Sequence, residues 1–273
     1  MSTSAYDTVR LARANKRPTG LDYIHNLCAD FFELHGDRRF ADDGAIVGGV
    51  GHFRGLPVTF LAIEKGHSAK ERMARSFGAP HPEGYRKALR LMKQAEKFHR
   101  PVLCFVDTSG ANCGIGAEER GQGQAIAENL MTMMSLDTPV ITVLIGEGGS
   151  GGALALSVAD RVWMLEHAVY SVISPEGCAS ILWKDAGKAA QAAACLKLTA
   201  QDLRRGGIVQ GVLREPEGGA HTDWEATFRT MDAAVRKELA ALDKLKGPAL
   251  AQQRYEMFRA MGRGLPPARE EEV

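Results

Sequence analysis

Apolar residues recur along the chain with two different periods. Leu21, Ile24, Leu27, Cys28, Phe31 and Phe32 fall at helical spacing and predict a helix over 21–34. Phe40 to Gly66 reads instead as antiparallel strands with turns, AIVGGVGHF and LPVTFLAIE folded back at Arg54-Gly55. Helical spacing returns over 83–99, with Ala88, Leu91, Met92 and Ala95 on one face. A theme then repeats. The run PVLCFV (101–106) leads into a glycine-rich loop and a helix over 118–134. The run PVITVLI (139–145) leads into a second glycine-rich loop and another helix, and strands over 161–165 and 169–173 follow. Continuous apolar strands alternating with helices predict an α/β fold with a mainly parallel sheet covered on both faces. Trp224, Phe228, Met231, Val235, Leu239, Leu242 and Leu245 form one long helical stripe, read as core or partly as a subunit interface. A last helix follows Pro248. This pattern divides the chain into a loosely held lead-in (1–20), one domain (21–262) and a disordered tail (263–273).

Composition narrows the class. The chain has 273 residues, and 34 Lys and Arg balance 33 Asp and Glu, a net charge of +1. A dedicated nucleic-acid binder is usually more basic, so nucleic acid is an unlikely partner. No apolar run reaches the ~20 residues of a membrane span, and no secretory pattern opens the chain. Five cysteines without CxxC spacing support neither a disulfide framework nor a zinc ribbon, and no histidine spacing suggests a metal. A reduced, cytoplasmic location is expected. Charge is nevertheless uneven: ten basic and three acidic residues give 65–100 a balance of +7. That segment reads as a solvated helix face or as a patch for an anionic ligand or an acidic protein.

Glycine is the unusual count, 30 residues, and it clusters at strand ends. One cluster is Asp107-Thr-Ser-Gly110-Ala-Asn-Cys-Gly114-Ile-Gly116; the other is Gly146-Glu-Gly148-Gly149-Ser150-Gly151-Gly152-Ala153. Glycines between a buried strand and a helix let backbone amides approach a ligand, and a helix start adds unpaired N–H groups. Such a loop suits an anion or a developing oxyanion, or else serves only tight turns and close packing. Gly146-x-Gly148-x-x-Gly151, with Glu166 further on, also matches a dinucleotide fingerprint. Gly148-x-Ser150-x-Gly152 matches a nucleophile elbow for which His167 or His221 could serve. Glu118-Glu119-Arg120 reads as a helix start or as support for the loop, and Ser174-Pro175 as an N-cap with proline at the first helical position.

Longer stretches discriminate better. ELHGDRRFADDGAIVGG (33–49), SFGAPHPEGYRKALRLM (76–92), GIGAEERGQ (114–122), IGEGGSGGALAL (145–156), YSVISPEGCASILWKDA (170–186) and EPEGGAH (215–221) occur in order. On these the chain resembles the alpha subunit of the bacterial acetyl-CoA carboxylase carboxyltransferase. The resemblance implies a crotonase-like (ClpP/crotonase) fold, a spiral of ββα units with C-terminal helices. It implies transfer of the carboxyl group of carboxybiotin, supplied in trans on the biotin carboxyl carrier protein, to acetyl-CoA, giving malonyl-CoA for fatty-acid synthesis. Negative charge then develops on the biotin ureido oxygen and on the acetyl-CoA enolate, so amide donors matter more than a side-chain base. The resemblance places Gly151 and Gly152 at the oxyanion position, with Ala153 as a further donor. It makes Gly110, Ala111, Gly148 and Gly149 candidate carboxybiotin-binding residues and Ser150 structural. It also implies a homologous beta subunit carrying zinc, no metal in this chain, and a heterotetramer of two alpha and two beta subunits. The first loop departs from the expected DTPGAY: Ser109 replaces proline and Asn112 the aromatic residue.

Overall fold

The hairpin forms as expected: β2 (Ile46–Phe53) pairs antiparallel with β3 (Leu56–Ile63). Arg54 and Gly55 both take positive φ, 51° and 82°, the backbone of a type I′ turn. The computed structural model describes residues 3–245 and 247–263. Two helices, α1 (Ala5–Ala12) and α2 (Gly20–Leu27), precede a short strand β1 (Phe32–Glu33) that pairs with β2. After β3 come α3 (Ala69–Ala74) and α4 (Pro82–Lys97), then β4 (Val102–Thr108), α5 (Ile115–Glu119) and α6 (Gln122–Ser135). Strand β5 (Val140–Gly149) runs directly into α7 (Ser150–Leu154), followed by β6 (Arg161–Leu165) and β7 (Val169–Ser171). Helices α8 (Pro175–Trp183), α9 (Ala189–Leu196) and α10 (Ala200–Arg205) lead to β8 (Gly211–Leu213), and α11 (Trp224–Leu242) and α12 (Pro248–Ala260) end the described chain.

The sheet order is β1-β2-β3-β4-β5-β6-β8, parallel from β3 onward. Strand β5 forks. Its first half (Ile141–Leu144) pairs with β6, and its last residues (Glu147–Gly149) pair with β7. At the fork β5 exchanges β6 for β7, while Gly148 stays paired with Thr108 of β4 after a register shift, and the second glycine loop follows at the strand end. The face of α4 read from the sequence is buried as expected, with Ala88, Leu91, Met92 and Ala95 fully covered.

Three expectations are corrected. The helix over 21–34 stops at Leu27, and Phe32 lies on β1, 66% exposed. The helical spacing of Phe31 and Phe32 is coincidental, because Gly49 and Gly51 let the chain return flat against β2. A Cβ on either glycine would stand 2.2 Å from the Phe32 carbonyl or the Cys28 sulfur. The helix over 118–134 is broken at Gly121 (φ 84°) into α5 and α6. The lead-in is not loose: Val9 and Ala12 of α1 bury against Val169, Ala193 and Leu198. The C-terminal tail lies outside the described residues from 264 on.

Candidate active site

The two glycine loops meet at the carboxyl ends of β4 and β5. Thr108 is in register with Gly148, and its hydroxyl both accepts from the Gly110 N–H (3.0 Å) and donates to the Gly110 carbonyl (2.9 Å). Gly110 takes φ 147°, a conformation that disfavours any side chain. Contact between the loops is backbone to backbone. A Cβ on Gly149 would stand 2.2 Å from the Ser109 carbonyl oxygen, and one on Gly152 2.4 Å from the Ala111 nitrogen. Gly148 faces inward, where a Cβ would strike Leu144 and Tyr170. Packing therefore accounts for glycine at 148, 149 and 152. At Gly151 it does not: the nearest atom to a Cβ there is 3.8 Å away, on Ile126.

Helix α7 starts at this junction without a side-chain cap. Its N-cap is Gly149, and in a regular helix the N-cap carbonyl accepts the N–H four residues on, here that of Ala153. The amides of Gly151 and Gly152 come earlier in the first turn and have no intrahelical acceptor. They suit an oxyanion.

A chain of five alternating charges braces the loops. Lys65, just after β3, lies 2.6 Å from Asp107 and 3.1 Å from Glu147. Glu147 also meets Arg13 Nε at 2.7 Å, and Arg13 Nη1 reaches Glu176 at 2.8 Å. The Glu147 N–H donates to Asp107 Oδ1 at 2.8 Å, and the Asp107 carboxylate fills the space where Gly146 lacks a Cβ. Burial pushes the Glu147 carboxyl up, but Lys65 and then Arg13 outweigh it and hold it below its ordinary value. Burial opposes the charge of Lys65, yet Asp107 and Glu147 keep its pKa raised. A cleft of about 200 Å³ opens here, lined by Arg13, Arg17, Lys65, Asp107, Ser109 and Glu147 among others. A smaller depression beside it shares Arg13, Ser109 and Glu147 and adds Gly148, Gly149, Ser174 and Pro175.

None of these five charges was assigned a site role from the sequence: Asp107 and Glu147 sit inside the two glycine clusters, Lys65 opens the basic segment and Glu176 lies in the 170–186 stretch, but nothing local pairs them, and Arg13 falls in no motif. Other candidates find quieter places. Ser174 caps α8 by accepting from the Gly177 N–H, and Pro175 is its first residue. In Glu118-Glu119-Arg120 the arginine acts as a tie, with its Nε 2.7 Å from Glu83 on α4. Asn112 accepts from the Gly114 N–H and anchors its own N–H on the Pro80 carbonyl, a local role for this departure. The basic segment 65–100 is largely committed internally. Lys87 is buried on Asp42, Arg86 pairs with Asp37, and Arg72, Arg75 and Arg90 bond backbone carbonyls. Ser150 has the strained φ of an elbow, 52°, but His167 is tied to Glu215 at 3.0 Å. Glu166 accepts from the Glu215 N–H. Among the described residues no three His, Cys, Asp or Glu side chains converge as metal ligands, and no helix is long and apolar enough to cross a membrane.

Comparison with known proteins fits this geometry. The family described as acetyl co-enzyme A carboxylase carboxyltransferase-like matches residues 1–262. The chain is 56% identical over 259 residues to the acetyl-coenzyme A carboxylase carboxyl transferase subunit alpha of Ruminiclostridium cellulolyticum, covering 95% of this chain and 98% of that protein. It is 57% identical over 258 residues to the subunits beta/alpha of that enzyme from Natranaerobius thermophilus, a match covering 94% of this chain and 43% of that one. Among solved structures, transcarboxylase 12S with methylmalonyl-coenzyme A bound superposes with a TM-score of 0.67 at 19% identity, over all of this chain and 47% of the other. The fold is thus the crotonase-like one of carboxyltransferases.

Proposed function

We infer the chemistry of the cleft from one premise: the chain belongs to the acetyl-CoA carboxylase carboxyltransferase family, as its alpha subunit. It is a carboxyltransferase component of a biotin-dependent enzyme, and its partner is a beta subunit, in keeping with the beta/alpha relative. In this reading the chain works in a heterotetramer of two alpha and two beta subunits, zinc sits on beta, and this chain handles the biotin side. Acetyl-CoA is the acceptor and malonyl-CoA the product. The carboxybiotin of the carrier protein, when bound, supplies the carboxyl group.

The observation that carries the reading is the uncapped first turn of α7 at the fork of β5, with open space beside Gly151. That cradle fits an anionic ureido oxygen: Gly151 and Gly152 donate to it, Ala153 closes the turn, and Gly148 and Gly149 hold the turn against the first loop. Gly110 and Ala111 pack their backbone against Gly152 from the first loop. Pre-aimed amides need no reorganisation as charge develops, and loss of one such donor typically costs about 10²–10³ in rate. The test is reconstitution with the beta partner and the biotin carrier, followed by malonyl-CoA formation. Turnover with acetyl-CoA is expected. An intact assembly with no turnover, or turnover with a different acyl-CoA only, overturns the reading.

A further inference from the structure

We propose that Arg13 is a positioning residue for the second glycine loop, setting the Gly151 and Gly152 amides through Glu147 and Glu176. Arg13 sits at the end of α1, where its guanidinium forks. Nε meets Glu147 at 2.7 Å, while Nη1 and Nη2 take the two oxygens of Glu176 at 2.8 and 3.3 Å. Glu147 is the residue before Gly148, and Glu176 lies in the first turn of α8. One side chain thus ties the root of the oxyanion loop to the helix that forms the wall of the depression beside it.

Geometry separates this contact from the others on Glu147. Lys65 and Asp107 belong to the strand ends of the sheet itself, where Lys65 pairs with the Glu147 carboxylate and Asp107 accepts its N–H. The tie from Arg13 comes from a segment outside the sheet and lines the cleft with them. Helix α1 does not depend on it for docking, since Val9 and Ala12 are buried against Val169, Ala193 and Leu198. Arg17 independently pins the same segment, 2.7 Å from the buried Glu215. Removing the Arg13 guanidinium therefore leaves α1 seated and Glu147 paired with Lys65, but frees the loop on its cleft side. A donor displaced by about 1 Å can cost about 100-fold in rate.

The inference rests on the oxyanion reading above, so its test has a readout independent of turnover. Arg13→Ala, Arg13→Lys and Glu176→Gln are made in the chain assembled with the beta subunit and carrier. Measured are kcat, KM for acetyl-CoA, thermal stability, and amide hydrogen exchange over 146–154. Arg13→Ala is expected to lower kcat about 10- to 100-fold, with KM for acetyl-CoA and melting temperature near wild type and faster exchange over 148–153. Arg13→Lys keeps one ion pair and recovers part of the rate; Glu176→Gln loses less than Arg13→Ala. Unchanged exchange over 148–153 in Arg13→Ala overturns the proposal, whatever the rates. So does a loss of kcat accompanied by a lowered melting temperature and normal exchange, which marks Arg13 as a staple for α1. Inactive wild-type assembly overturns the carboxyltransferase reading instead, and exchange still decides the role of Arg13.

Discussion

The amide nitrogen of Ala111 lies 2.4 Å from where a Cβ of Gly152 would stand. The two glycine loops are therefore in backbone contact, and glycine at 152 is a packing requirement before it is a chemical one. Gly151, the preceding residue of the same turn, has no such neighbour.

This difference makes the pair a clean comparison. Gly152→Ala pushes the first loop away and is expected to cost about 1–3 kcal/mol in stability along with activity. Gly151→Ala is expected to leave the melting temperature unchanged while lowering malonyl-CoA formation, because the added methyl occupies space this chain leaves open. Normal turnover in Gly151→Ala would show that nothing binds over that amide.

Lys65 separates two carboxylates, each 14% exposed. Lys65→Met leaves Asp107 without its cation and Glu147 with Arg13 alone, and is expected to cost about 3 kcal/mol by urea denaturation. Combining it with Glu147→Gln should recover part of that loss, because the two changes act on one contact.

Arg254 and Asp160 are fully buried and 2.9 Å apart. The same guanidinium donates to the carbonyls of Met133 and Leu136, so it fastens α12 across the end of α6. Arg254→Met is expected to cost about 3–5 kcal/mol. Hydrogen exchange should quicken first over 248–260, with the sheet strands protected longer.

His167 and Glu215 predict opposite pH responses. The hydrogen bond to Glu215 raises the His167 pKa above its ordinary 6.5, although partial burial opposes it. The stability from this pairing is complete below the unfolded-chain pKa and is lost as pH rises through the folded one. Glu215 is held well below 4.5, because Arg17 and His167 outweigh its burial, so its contribution is lost as pH falls through that lowered value. Melting temperatures of wild type and His167→Gln should converge as pH rises from about 6 to about 8. A constant gap would sink the assignment.

Much of the site was legible in the residues. Buried-type strands ending in glycine clusters place two loops at one edge of a parallel sheet, since parallel crossovers bring successive strand ends together. The motif stretches then pointed to the chemistry. What misled was local pattern without packing. The +7 segment looked like a surface patch, yet Lys87 and Arg86 spend their charge inside the fold. The polar lead-in looked loosely held, yet it carries Arg13 and Arg17 into the cleft.

Hydrophobic period and glycine placement act over a few residues, so the sequence by itself determined β2 to β7, the hairpin, α4 and the positions of both glycine loops, but neither β1 nor β8, which are two and three residues long. The charge chain through Arg13, Lys65, Asp107, Glu147 and Glu176 joins residues from about 40 to about 160 positions apart. Ion pairing depends on distance in space, and only the forked end of β5 and the docking of α1 bring those charges within bonding range. The tertiary structure alone decided which glycines of the second loop are needed for packing and that Gly151 is not among them.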